Sequence, residues 1–564
     1  MKNQFRKSFF LLYTLSTTSI LSGAFAATPV QKSGVQAAKP SLVVVIFVDQ
    51  MRAEYLNRFD SLFGDNGFRM LKKQGAWLTN ANYESVPTFT AVGHASTLTG
   101  SIPAMHGIVG NSFFDRNTNQ VVASVFDGNA KLISTPRAEK PQDPLSNVKE
   151  DTASPRNLKA YTLGDQMRLA SSGRSKVISI SLKDRSAVLM GGQRPNGAFW
   201  FNEKRGEFVT SSYYMQQLPE WVNSYNKSGK IDILLSQIWN PLFAAAKYTG
   251  TFENPENTAS PIGNQFPHTL VSKDRIESLV KFESTPFAAD YLADFALEAL
   301  KSEKLGQQKE TDLLALSFSS PDILGHAFGP DSKEMADTYA RLDRTIERFL
   351  TNTLKTVGSD NVAIVLVADH GVAPVPEIAI KQGYSAGRIS TKDLKSKVEA
   401  ALTEAYGKGD WIVSLNNDQI YLNYTAISEK KLELSKVQDT AAKAALYVEG
   451  IAQVFTGHQL QESAVPPTPM AKKVMLGFDA KRSGDVVLMP QPFWFLGGFN
   501  SGTTHGTGYS YDTHVPIIMF GKAFKPGIYQ MAVSPSDIAP TLSQVLQITP
   551  PSNTTGRVIT EVIK

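Results

Sequence analysis

Asp322 and His326 lie four apart in the run PDILGHAFGP, so a helix would place a carboxylate and an imidazole on one face as a chelating pair for a metal ion. Alone, such a pair is more often a surface hydrogen bond than a pair of metal ligands. Pro321 and the apolar run before it strengthen the metal reading, because they set this helix at the end of a strand. Asp369-His370-Gly371 follows NVAIVLVA and Asp49 follows SLVVVIFV, so charged groups leave strands otherwise buried on both faces. Unpaired charge there costs on the order of several kcal/mol, which a bound cation removes. The plainer reading is a strand-end Asp capping the next turn. His505 sits in the glycine-dense GGFNSGTTHGTGYSYDTHVP, where the backbone must bend tightly and approach something closely. His514, following Asp512 at the approach to a strand, reads as structural. His94, His106, His268 and His458 have no acidic partner at ligand spacing and read as packing or surface residues.

Three Asp and three His suit two borderline ions with mixed nitrogen and oxygen ligands, zinc before magnesium or calcium. Two ions about 4 Å apart can clamp the attacking and leaving oxygens of an in-line displacement at phosphorus. The nucleophile would come from ESVPTFTAVGHASTLTGSIPAMHGIVGN, which offers Ser85, Thr88, Thr90 and Ser96 among others. Spacing does not choose between them.

Five runs rich in Val and Ile must position these groups: Leu42 to Val48, Lys176 to Ser181, Leu313 to Phe318, Val362 to Val367 and Val515 to Phe520. They read as buried parallel strands. Helical spacing between them, as at Tyr291 to Leu300 and Lys333 to Leu350, gives an α/β layered fold. Four of the strands are followed within a few residues by Asp49, by Lys183 and Arg185, by Asp322, and by Asp369-His370. Open α/β sheets bind ligands at the carboxyl ends of their strands, so these residues should meet in one cleft. Two stretches break the rhythm, about 191–284, with Trp200, Trp221 and Trp239, and about 372–486. Both read as insertions capping the sheet.

The first 26 residues combine Lys2, Arg6 and Lys7 with an apolar stretch from Phe9 to Leu21 and the exit Ala24-Phe25-Ala26, a secretory signal peptide with cleavage expected after Ala26. Its core falls short of the roughly 20 apolar residues of a membrane span. The chain has no Cys, which excludes a lipid-anchored Cys and any disulfide framework. The leader holds three basic residues and no acidic one, so the formal charge of +5 falls to +2 without it. The remaining Lys and Arg are scattered, which gives nucleic-acid binding no support. A periplasmic or secreted enzyme without a membrane anchor is expected, taken as a monomer, with residues 27–564 as its catalytic domain.

Pro87-Thr88-Phe89-Thr90 resembles the Pro-x-x-Thr nucleophile turn of the alkaline phosphatase superfamily, in its branch of nucleotide pyrophosphatase/phosphodiesterase-like enzymes. The resemblance implies an alkaline-phosphatase-like α/β/α sandwich with a mostly parallel central sheet, and it makes Thr90 the nucleophile. Asp49, Asp322, His326, Asp369, His370 and His505 occur in the order and local contexts of that superfamily's six metal ligands. Asp322, His326 and His505 would hold one zinc, and Asp49, Asp369 and His370, with the Thr90 oxygen, the other. Lys183 and Arg185 in SLKDRSAV, and Asn111 in HGIVGN, resemble the phosphate-gripping residues of PafA-like alkaline phosphatases. An exported two-zinc alkaline phosphatase is implied, acting on small phosphate monoesters through a covalent phosphothreonine. The alternatives are a phosphodiesterase or nucleotide pyrophosphatase of the same superfamily, and a metal-binding surface module without catalysis.

Overall fold

The run LVVVIFV has no polar face, so a strand made from it must be covered on both sides. In the computed structural model, which describes residues 39–136, 152–253, 257–497 and 501–564, this run is the fully buried strand β1 (Leu42–Val48). The other strands of its sheet are β2 (Ala76–Leu78), β3 (Leu132–Ile133), β4 (Val177–Ser181), β5 (Gly197–Asn202), β6 (Glu207–Ser211), β7 (Asp312–Phe318), β8 (Val362–Val367), β9 (Ile517–Gly521) and β10 (Gly527–Tyr529). They lie in the order β10-β2-β9-β8-β1-β7-β4-β5-β6-β3, and β8, β1, β7, β4 and β5 form an unbroken parallel block.

Alternate residues of β1 feed two cores. Val43, Val45 and Phe47 meet Leu98 of helix α1 (Thr90–Thr99) and Leu542 near the C-terminus. Leu42, Val44, Ile46 and Val48 join the core that holds Phe295 of Pro286–Ser302 and Ile346 of Lys333–Val357. Helices on both faces make the expected α/β/α sandwich. The expected signal peptide and its cleavage point lie outside the described residues.

Two features depart from the sequence reading. The fifth predicted strand exists as β9, but it runs antiparallel to both β8 and β2. The loop that carries His505 already lies at the carboxyl ends of the parallel strands, so the chain enters β9 from that edge and must run back. A strand buried on both faces looks the same in either direction. The stretch read as an insertion from 191 opens with β5 and β6, both strands of the main sheet. Its aromatic residues belong to the core, as where Phe208 stacks on Phe295 with centroids 3.8 Å apart.

Between residues 372 and 486 the chain builds much of a second, four-stranded sheet over its own core, which includes Leu394, Leu402, Trp411 and Val437. Two of its strands, Ile412–Asn416 and Gln419–Leu422, are antiparallel and joined by two residues. Asn417 and Asp418 both take positive φ, 50° and 57°, as a two-residue type I′ hairpin requires.

Candidate active site at the carboxyl edge of the sheet

Strand register brings the predicted residues to one level. Ser181 of β4 pairs with Ser317 of β7, which pairs with Phe47 of β1, which pairs with Val367 of β8. Lys183, Asp49 and Asp369 each stand two residues beyond that row. Asp322 lies further on, in the first turn of α2 (Ser320–Phe328), and His326 lies one turn later. The expected convergence is present.

The three histidines share one arrangement. His326 Nδ1 is 2.9 Å from the Thr503 carbonyl, His370 Nδ1 is 2.9 Å from the Gly371 carbonyl, and His505 Nδ1 is 2.7 Å from the Thr88 carbonyl. A carbonyl only accepts, so each Nδ1 carries the proton and each Nε2 keeps a lone pair. Those Nε2 atoms face carboxylates: His326 and His505 lie 3.4 and 3.5 Å from Asp322 Oδ1, and His370 lies 3.2 Å from Asp369 Oδ2. Burial lowers the pKa of all three, that of His370 to about 4, so they are neutral. The His370 and His505 rings stack with centroids 3.5 Å apart.

Among the carboxylates, burial followed by Asp49 pushes Asp369 up to about 7. Asp369 Oδ1 accepts from the Gln50 and His370 backbone N–H groups, whereas Oδ2 is buried without a hydrogen-bond partner. Burial also opposes ionisation of Asp49 and Asp322, but Lys183 holds both below the usual carboxylate value. Its ammonium lies 2.9 Å from Asp49 Oδ2 and forms a second ion pair with Asp322. Lone-pair imidazoles, converging carboxylates and an orphaned carboxylate oxygen fit divalent cations, and the Nδ1–carbonyl bonds are the supports that orient metal-ligating histidines. Asp322, His326 and His505 form one candidate group, with ligand atoms all within 4.8 Å of one another.

The second group contains a residue that the sequence reading assigned to packing. His94, buried on α1, lies 3.6 Å from both Asp49 and Asp369 and forms a candidate metal group with them. Both its nitrogens are already engaged, Nδ1 with the Thr90 carbonyl and Nε2 with Ser317 Oγ. His370, whose Nδ1 is held by the Gly371 carbonyl and whose Nε2 meets the Thr90 hydroxyl and the Asp369 carboxylate, is the better placed imidazole for a cation between those two oxygens.

Thr90 is the first residue of α1, where backbone N–H groups and the helix dipole favour negative charge. Its Oγ1 is 3.3 Å from His370 Nε2. Asn111 Oδ1 accepts from the Ala91 N–H at 2.9 Å, which ties Asn111 to the same helix start and leaves Nδ2 as the end able to donate elsewhere. α1 packs so closely on the β8 loop that a Cβ at Gly93 would meet the Asp369 carbonyl oxygen at 2.1 Å. Lys183 and Arg185 line one cavity of about 420 Å³ together with Trp200, Glu203 and Glu283. Arg185 Nε is buried there without a hydrogen-bond partner.

Two supporting residues escaped the sequence reading. Gln50, at φ 64°, donates from its backbone to Asp369 Oδ1 and from its amide to Asp322 Oδ1. Asp512 Oδ2 accepts from the Gly506 and Thr507 N–H groups, and its carbonyl accepts from the Gly371 N–H, so it ties the His505 loop to the His370 loop. An Asp followed closely by a glycine-rich loop's end is a weak signal, and Gln50 offered none.

The family model described as type I phosphodiesterase / nucleotide pyrophosphatase matches residues 43–512. The chain is 35% identical over 549 residues to alkaline phosphatase PafA of Elizabethkingia meningoseptica, covering 96% of this chain and 97% of that protein. It is 36% identical over 533 residues, 93% of this chain and 95% of the other, to a Myroides odoratus protein named calcium-transporting ATPase. The crystal structure of wild-type alkaline phosphatase PafA superposes with a TM-score of 0.85 at 34% identity, covering 94% of this chain and all of that one. With a full-length match in both sequence and fold, the chain belongs to the type I phosphodiesterase/nucleotide pyrophosphatase family of the alkaline phosphatase superfamily.

Proposed function

We propose that the protein is an exported alkaline phosphatase that hydrolyses small phosphate monoesters through Thr90, with two zinc ions as cofactors. The observation that carries this reading is Thr90 Oγ1 at a helix N-terminus, in a 3.3 Å hydrogen bond with His370 Nε2 and next to the carboxylate cluster. The name and full-length similarity of PafA support it.

Asp322, His326 and His505 would hold one ion, and Asp49, Asp369 and His370 the other. Ions bound there supply charge neutralisation for the attacking and leaving oxygens and lower the pKa of a hydroxyl. Thr90 Oγ1 loses its proton and attacks phosphorus in line with the ester oxygen. The P–O bond to the alcohol breaks, the alcohol leaves protonated, and phosphothreonine remains. Water then attacks the same phosphorus from the vacated side and releases phosphate and Thr90.

The positive charge at the site favours a monoester over a diester. The dianion needs more positive charge than a diester, and Lys183 and Arg185 line one cavity beside the carboxylates. Arg185 can grip two phosphoryl oxygens, Lys183 acts as a point charge, and Asn111 Nδ2 can take a third oxygen. Cations held by Asp49 and Asp322 would take over the neutralisation that the Lys183 ammonium now supplies and would leave that ammonium for the phosphoryl oxygens.

The test is hydrolysis of p-nitrophenyl phosphate, bis-p-nitrophenyl phosphate and ATP at alkaline pH by zinc-loaded protein, with metal content measured before and after chelation. A strong, chelator-sensitive preference for the first is expected. Preference for the diester or for ATP overturns the monoester assignment. The same protein, recovered from a fractionated host with its N-terminus sequenced, tests export and cleavage after Ala26.

A further inference from the structure

On the His505 side of the site lies a second cavity, of about 190 Å³, away from the one that Lys183 and Arg185 line. Its walls include Phe89, Trp494, Phe495, Tyr511 and the His505 ring, and the hairpin tip of the capping sheet closes it with Asp418. Phe89 meets His505 edge-on at 5.5 Å, so the cavity borders both the residue before the nucleophile and a candidate metal ligand.

Asp418 is the one residue lining this cavity that carries a formal charge, among the described residues, since burial keeps His505 neutral. No hydrogen bond or ion pair among the described residues involves its carboxylate, and burial pushes its pKa up to about 7 with no cation offsetting the rise. Arg388, which lies over Phe495 at 5.1 Å, is paired with Glu377 at 2.8 Å. The half-buried Asp418 thus brings to a cavity lined with aromatic rings a carboxylate that no side chain offsets, and the left-handed backbone of Asn417 and Asp418 holds it there. Asn417 fixes the tip by donating from Nδ2 to the Ser112 carbonyl.

A cation is what such a wall binds, because aromatic faces and a carboxylate attract it together. In the proposed in-line displacement Thr90 belongs with the Asp49, Asp369 and His370 ion and the departing alcohol with the Asp322, His326 and His505 ion, so a cavity walled by His505 would receive that alcohol. We propose that Asp418 and the aromatic residues around it form a leaving-group subsite for phosphate monoesters whose alcohol carries an ammonium group, such as aminoalkyl or trimethylammonioalkyl phosphates. This inference rests on the phosphatase reading and adds the substrate class to it.

The test compares kcat/KM for 2-aminoethyl phosphate with that for ethyl phosphate, its neutral counterpart, in the zinc-loaded wild type, Asp418→Asn and Trp494→Leu. The ratio within each protein cancels any loss of folded enzyme. The wild type is expected to favour the cationic ester by about tenfold, and both variants to lose most of that ratio. In parallel, the Trp fluorescence of each protein is titrated with choline and with the uncharged 3,3-dimethylbutanol. Saturable quenching by choline that Asp418→Asn abolishes supports the subsite without reference to turnover. If p-nitrophenyl phosphate is hydrolysed but the ratio is near one and choline gives no saturable signal, the subsite is wrong and the phosphatase stands. If no monoester is hydrolysed, the phosphatase reading falls, and the choline titration still decides for or against the cation site.

Discussion

Lys183, beyond the end of β4, makes a 2.9 Å ion pair with Asp49, beyond the end of β1, across the intervening strand β7. Both side chains are largely withdrawn from solvent, so neither charge is cheap to leave alone. Removing one partner of a buried pair costs roughly 3–5 kcal/mol. Lys183→Ala should therefore lower the melting temperature of chelator-treated protein, and zinc should close most of the gap by neutralising Asp49 and Asp322 in its place. An equal deficit with and without zinc in calorimetry would show that the ammonium is not exchanging roles with a cation.

Thr90→Ala should reduce monoester hydrolysis on the order of a thousandfold or more, because the covalent route is closed while binding groups remain. Acid quench of wild-type enzyme turning over labelled substrate should trap label on Thr90, identified by peptide mass spectrometry. Label elsewhere, or full activity in the variant, would refute the nucleophile.

Asp512 touches no candidate ligand with its carboxylate, yet it organises the loops that bear two of them. Asp512→Ala should weaken zinc binding by about 10–100-fold, the usual effect of removing an outer support. Competition with a fluorescent chelator reads this directly. Unchanged affinity would reduce Asp512 to a packing residue.

Glu283 is pushed up to about 8 by burial, and then by Glu203. A carboxyl whose folded pKa exceeds its unfolded value of about 4.3 binds more protons folded than unfolded, so it costs stability as pH rises from that value towards 8 and costs no more above it. Glu283→Gln should therefore raise the melting temperature relative to wild type at pH 8.5 and give little difference at pH 4.5. Thermal melts at the two pH values check the sign.

Four of the candidate ligands stood out because each sits just past a run of apolar residues, where strand chemistry and metal chemistry coincide. Asp49, Asp322, Asp369 and His370 needed only that rule, and the fold class followed from the same runs. Selecting Thr90 over Thr88 or Ser96 needed resemblance, since what distinguishes it is its place at a helix start 280 residues from His370. His94 stayed hidden for a related reason. Its neighbours Ser317, Asp49 and Asp369 lie in or just beyond three different strands, and a histidine buried amid Ala and Val looks like packing. The direction of β9, the sheet membership of β5 and the reach of the Asn417-Asp418 hairpin are all set by where distant segments lie, which local pattern does not encode.

The position of β1 in the sheet also has a kinetic side. Its seven apolar residues are the first regular element of the described chain, yet both neighbours, β7 and β8, begin at residues 312 and 362. During synthesis this run must wait for about 260 further residues before its first edge is paired and about 310 before its second. An unpaired, uncharged strand of this kind is an aggregation hazard, and such non-local pairing makes folding slow. Productive folding of this protein thus depends on keeping its N-terminal strand solitary until the second half of the sheet arrives, a demand that falls on chaperones and not on the finished structure.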